Sequence, residues 1–160
     1  MTMRNGLLLI GALIGCQIAT ASAKQPAPET PVWSSTAQGN EASLVFMTPG
    51  SDETELTLSC RTRSGRVDFF VGDTSPLKPN LSQAGSFTVG RISFDFTGRT
   101  IPNELSGTSS FKGSLSGDAP IFNALTGDGN LEIRIGKSSQ KLPLKTIKDQ
   151  ASRFAARCRK

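Results

Sequence analysis

Cysteine is the residue type in this 160-residue chain best suited to covalent chemistry, and its three copies fall in two different settings. Cys16 closes the run Leu13-Ile14-Gly15-Cys16, which has the form of a bacterial lipobox. In that chemistry a thiol behind small residues receives a diacylglycerol and becomes the mature N-terminus. Cys60 and Cys158 lie far downstream, inside segments patterned as folded structure. If the chain is exported, a disulfide is the simplest use for that pair, with two separate buried thiols as the alternative. No metal site is expected, because the chain has no His and two thiolates supply only half of a zinc site.

Other catalytic constellations find little support. Without His or Tyr, Ser–His–Asp and Cys–His arrangements are excluded and the usual neutral-pH proton carrier is missing. The carboxylates that could serve a hydrolytic pair are Asp68, Asp95, Asp118, Asp128 and Glu132. Strand faces (Asp68, Glu132), a helix cap (Asp118) and a turn (Asp128) account for four of them, and alternation turns Asp95 away from Phe94 and Phe96. Three S-x-x-K spacings (Ser75/Lys78, Ser109/Lys112, Ser138/Lys141) lie in Pro-, Gly- or Ser-rich stretches rather than on a helical turn. The Gly-rich pieces match no phosphate loop, and the turn at Asp128 lacks the acidic series of a calcium loop. No catalytic residue and no cofactor is assigned, and the chain reads as a non-enzyme.

Charge is concentrated at the C-terminus. The chain carries a formal +5, and residues 145–160 alone, with six bases against Asp149, account for all of it. Arg153, Arg157, Arg159 and Lys160 form a candidate contact surface for anionic lipid head groups or an acidic partner. They also sit where a helix macrodipole favours cations without any ligand. Arg61, Arg63 and Arg66 make a second, smaller cluster at a hairpin. Nucleic acid is not an expected partner: export works against it, and the Phe residues fall on core faces rather than among the bases.

The elements that must position these groups begin after an export signal. A short positive start with Arg4, the apolar run Gly6–Ile18 and the small-x-small Ala21-Ser22-Ala23 form a signal peptide over residues 1–23. The run is too short to span a bilayer comfortably. Cleavage after Ala23 yields a periplasmic protein, whereas modification at Cys16 yields a membrane-anchored lipoprotein. Residues 24–32 form a Pro-rich extended linker, and residues 33–160 a single domain, where Trp33 marks the docking point.

Within that domain the apolar pattern has period two. Leu56/Leu58/Cys60, Val67/Phe69/Val71 and Leu131/Ile133/Ile135 alternate with polar residues as half-buried strands, and Ala42–Met47 reads as a central strand. The apolar phase shifts at Gly90, which predicts a bulge or tight turn there. Ser106–Gly117 reads as a loosely patterned strand or hairpin. A short helix follows Asp118 as cap, and a terminal helix opens with the capping-box variant Thr146-x-x-Asp149. Ile147, Ala151, Phe154 and Cys158 share one face of that helix, so a Cys60–Cys158 disulfide would staple it onto an interior strand. These elements predict an all-β, antiparallel β-sandwich of about seven or eight strands with a short internal helix and a C-terminal α-helix.

The order of anchors (Trp33, the strand Leu56–Cys60, an apolar strand pair, a late alternating strand, then Phe154 and Cys158) resembles the VasI-like exported accessory proteins associated with type VI secretion. The resemblance implies a β-sandwich with a disulfide, no catalytic residues to carry over, and an accessory role in the envelope. The expected function is therefore a non-catalytic cell-envelope binding or accessory protein. The alternatives are a small-ligand carrier with a barrel cavity and, behind it, a carboxylate hydrolase built on Asp95 or Asp68. A carrier needs an interior larger than Phe69, Ile92, Phe94 and Ile133 fill.

Overall fold

In a computed structural model, residues 30–104 and 106–160 are described; the expected signal peptide, Cys16 and most of the linker lie outside them. The alternating segments form strands β1 (Val32–Gln38), β2 (Glu41–Met47), β3 (Thr54–Arg61), β4 (Arg66–Val71), β5 (Ser82–Val89), β6 (Ile92–Asn103) and β7 (Thr108–Ser116). Helix α1 (Ile121–Ala124), β8 (Asn130–Ile135), β9 (Ser138–Pro143) and α2 (Lys148–Cys158) complete the chain. β1 opens at Val32, the last residue of the expected linker.

The protein is mainly antiparallel β, but it is not the two-layer sandwich expected. Among the described residues all nine strands join one sheet in the order β1-β2-β3-β4-β7-β6-β5-β8-β9, curled into a half-barrel. β4 pairs with β7 and β5 with β8, so the groups of strands meet edge to edge instead of face to face. The count exceeds seven or eight because Ser138–Pro143 forms a strand of its own beside β8. β2 lies one strand in from the edge and buries only Ala42, Leu44 and Phe46, rather than running apolar through the centre.

The curl has a local cause. Phe69, Phe87, Phe96 and Phe111 occupy the concave face of β4, β5, β6 and β7, with neighbouring ring centroids 4.7–5.8 Å apart. Three of these rings lie over mid-strand glycines of adjacent strands. A Cβ at Gly85, Gly98 or Gly113 would meet the ring of Phe96, Phe111 or Phe69 at 2.5 Å. Glycine inside a strand weakens pairing unless something approaches closely, and here the aromatic side chain covers it. The bare backbone lets each ring fold flat, and the sheet bends around the cluster. The phase shift at Gly90 is a tight turn between β5 and β6, with Gly90 at φ 57°. Along β6 Phe96 is buried, Phe94 is half-buried, and Ile92 is exposed, contrary to the inward face expected for it.

The two helices fill the concavity. α2 packs on β1, β2 and β3, α1 packs on β5 and β6, and the helices meet through Phe122 and Phe154, 6.1 Å apart. Ile147, Ala151, Phe154 and Cys158 are all buried, as their spacing requires. Neither helix is capped as expected. α1 starts after Pro120 and α2 after Ile147, and no side chain bonds either N-terminus. Thr146 is diverted into a left-handed turn at φ 68°, where its hydroxyl donates to the Lys145 carbonyl instead. Trp33 is buried, and its indole N–H donates to the Pro143 carbonyl at 2.7 Å, joining the first strand to the last. None of the described helices is long and apolar enough to cross a membrane.

Candidate functional site

The chemistry-bearing residues gather at the two ends of β3 and β4. At one end, β3 delivers Cys60 inward and α2 delivers Cys158 from its apolar face. Their sulfurs are at bonding distance, 2.00 Å, with Cα atoms 5.7 Å apart. Backbone hydrogen bonds extend this staple: the Arg63 N–H donates to the Arg157 carbonyl (2.7 Å) and the Gly65 N–H to the Cys158 carbonyl (3.0 Å). The Lys160 side chain lies across Gly65, where an added Cβ would meet it at 2.7 Å.

Two basic clusters far apart in sequence thereby become neighbours. Arg63, on the β3–β4 turn, lies beside Arg157 and Lys160 of the terminal segment. Arg159 turns aside, donating to Asn123 Oδ1 at 2.5 Å with Asp118 at 4.0 Å. Arg66 pairs with Asp68 at 2.8 Å, and Arg61 stands opposite Glu41 in the strand register. Arg153 sits one helical turn before Arg157 and is exposed.

The other end of the same strands is acidic. Asp52, Glu53, Glu55, Asp73 and Glu104 ring a cleft of about 550 Å³ whose wall includes Phe70. Its backbone frame is Gly72, which donates to the Glu55 carbonyl at 3.0 Å and accepts from Ser110 Oγ and Asn103 Nδ2. A Cβ at Gly72 would meet the Thr54 carbonyl oxygen at 1.9 Å, so only glycine fits. Behind the cleft, Thr74 and Ser109 bond each other, and Ser109 Oγ donates to the Leu77 carbonyl at 2.8 Å. Thr100 holds the same loop through the Lys78 carbonyl. All four hydroxyls, on Thr74, Thr100, Ser109 and Ser110, are buried and satisfied.

Environment splits the cleft's carboxylates. Burial pushes the Glu55 carboxyl above its ordinary value. The Ser75 backbone N–H, 2.9 Å from Asp73 Oδ1, holds the Asp73 carboxyl below its own. Among the described residues, however, no three Asp, Glu or Cys side chains converge closely enough to hold a metal ion. The acids line a rim rather than meeting at a point. Sequence reasoning missed this cleft, because its acids come from three separated segments, Asp52–Glu55, Asp73 and Glu104, which only the fold brings together.

The carboxylates singled out from the sequence lie elsewhere. Asp95 is exposed, at a shallow depression beside Arg134; Asp68 and Glu132 are tied to Arg66 and Arg134. Asp118 caps no helix, and Asp128 is exposed in a turn. Ser109/Lys112 and Ser138/Lys141 lie along strands and Ser75/Lys78 in a loop, so no serine is set one helical turn from its lysine.

The half-barrel with two internal helices defines a disulfide-stapled antiparallel β domain. Comparison with the known protein families, with curated proteins and with solved structures gives no match for the chain.

Proposed function

We propose that this chain is a non-catalytic binding or accessory protein of the bacterial cell envelope, working through its surface. It is exported by the signal at residues 1–23 and is either free in the periplasm or held by a lipid on Cys16. The observation that carries the reading is the filled interior: four phenylalanines and two helices occupy the concavity where a carrier would place its ligand. The disulfide-bonded pair favours an oxidising compartment. The likeness to VasI-like accessory proteins points the same way, to an envelope protein as partner.

Osmotic-shock fractionation of a Gram-negative host making the full chain, followed by intact mass, tests this reading. The expected product is a periplasmic protein beginning at Lys24, or a membrane-fraction protein beginning at a lipidated Cys16. A cytosolic protein retaining residues 1–23 would overturn export and the function with it.

A further inference from the structure

The basic end combines charge that the sequence keeps apart. Arg63, Arg153, Arg157 and Lys160 are all exposed, and among the described residues none has a carboxylate within ion-pair distance. Four acids lie nearby: Asp68 is against Arg66, Asp118 toward Arg159 and Glu41 opposite Arg61, while Asp149, one turn before Arg153 on α2, stays outside ion-pair distance of it. The Cys60–Cys158 bond and the Arg63-to-Arg157 backbone hydrogen bond fix the turn and the helix end as one unit.

The backbone says what kind of anion fits. A discrete phosphate is usually held by free backbone N–H groups in a concave nest. Here the N–H groups of Arg63, Ser64, Gly65 and Arg66 are already bonded, to the Arg157, Arg61 and Cys158 carbonyls and to Ser64 Oγ. What remains is side-chain charge spread over an outward turn and a helix end. Such an array suits an extended negative surface better than a single ion. The carboxylates at the far end of β3, roughly 25 Å away for eight residues, add a dipole that turns the basic end toward that surface.

We propose that this end of the molecule docks on an anionic phospholipid bilayer through Arg63, Arg153, Arg157 and Lys160. The assignment rests on the envelope reading above, and its test in vitro is separate from fractionation, so either can fail alone.

The experiment is co-sedimentation of the full, oxidised chain with vesicles of phosphatidylglycerol and phosphatidylcholine (1:1) or of phosphatidylcholine alone. The N-terminal run and its Arg4 are common to the native chain and every variant, so their contribution cancels between them on a given vesicle. Each surface cation removed should weaken partition about fivefold. Arg63→Asn with Arg157→Gln and Lys160→Gln should therefore lose about a hundredfold on anionic vesicles, with Asn chosen because Arg63 has φ 57°. Lys78→Gln with Lys112→Gln and Lys137→Gln removes equal charge elsewhere on the surface and should change partition by less than about threefold. Binding of the native chain should also fall steeply with added salt. Equal losses from the two triple variants would overturn the proposal, as would equal partition of the native chain on both vesicle types. Tighter binding to poly-glutamate than to anionic vesicles would replace the bilayer with an acidic polypeptide.

Discussion

One end of β3 and β4 is closed by a covalent bond, the other by hydroxyls and a glycine. At the basic end Cys60 and Cys158 tie the sheet to the last helix across a separation of 98 residues. At the acidic end Gly72 packs against the Thr54 backbone while Thr74, Ser109 and Ser110 satisfy the loop that follows. The difference follows from what each end must hold. A helix terminus packed on a strand offers few side chains that can lock it, and cations crowded there repel one another. A crosslink fixes the geometry whatever the charge. The acidic end holds a loop against its own sheet, where buried backbone groups need partners and short hydroxyls supply them.

Breaking the covalent end has the largest expected effect. Cys60→Ala with Cys158→Ala should lower unfolding free energy by about 4–5 kcal/mol, the chain-entropy value for a loop of about that length. Urea denaturation of the variant against the oxidised parent measures it. Hydrogen exchange sharpens the contrast: the Arg63 and Gly65 amides should lose protection while the Gly72 and Thr74 amides keep theirs. Equal loosening of both would mean that the ends are a single cooperative unit.

The hydrogen-bonded end should answer next. Gly72→Ala forces a methyl onto the Thr54 carbonyl, and backbone cannot step aside as a flexible side chain can. A loss of about 3 kcal/mol is expected in the same denaturation assay. Thr74→Val keeps the shape and removes the hydroxyl, leaving Ser109 Oγ without that partner but still bonded to the Leu77 carbonyl. It should cost about 1–2 kcal/mol. If Thr74→Val proves neutral, the hydroxyl cluster contributes no more than a dry apolar contact would.

The covalent end was largely legible in sequence, and the acidic end was not. Period-two alternation identified β3, β4 and β8, and helical spacing put Cys158 on the buried face of α2, so the staple could be read from local pattern. The union of Arg63 with Arg157 follows once that staple is accepted. The single curled sheet was hidden because it depends on cross-strand pairs: Gly85, Gly98 and Gly113 look like weak strand positions until Phe96, Phe111 and Phe69 are laid over them. The buried hydroxyls were hidden for a related reason. Ser109 and Ser110 stand in a Ser/Gly-rich stretch that reads as loose, yet Thr74 and Gly72, more than thirty residues away, make them interior. Polar residues whose partners are remote carry no local signature. The expected caps at Asp118 and Thr146 failed the other way, as local motifs overruled by the chain path.

The smallest effect isolates charge from packing within the cleft. Glu55 is half-buried and its carboxyl is raised by desolvation, so the folded state holds its proton more tightly than the unfolded state does. Stability should therefore fall as pH rises from about 4.5 through the raised value, because the folded state pays to ionise a partly buried acid. Asp73 has the opposite sign: its depressed value contributes stability above the ordinary Asp range, which is lost as pH falls through the folded value. Glu55→Gln removes the first contribution and leaves the second. The variant should match the parent in acid and exceed it at neutral pH, by less than any change described above. The difference between the two unfolding curves across pH reads Glu55 alone. A variant less stable than the parent at pH 7 would show that the ionised carboxylate is stabilised by its neighbours in the cleft, and that the acidic end, like the basic one, tolerates its own charge.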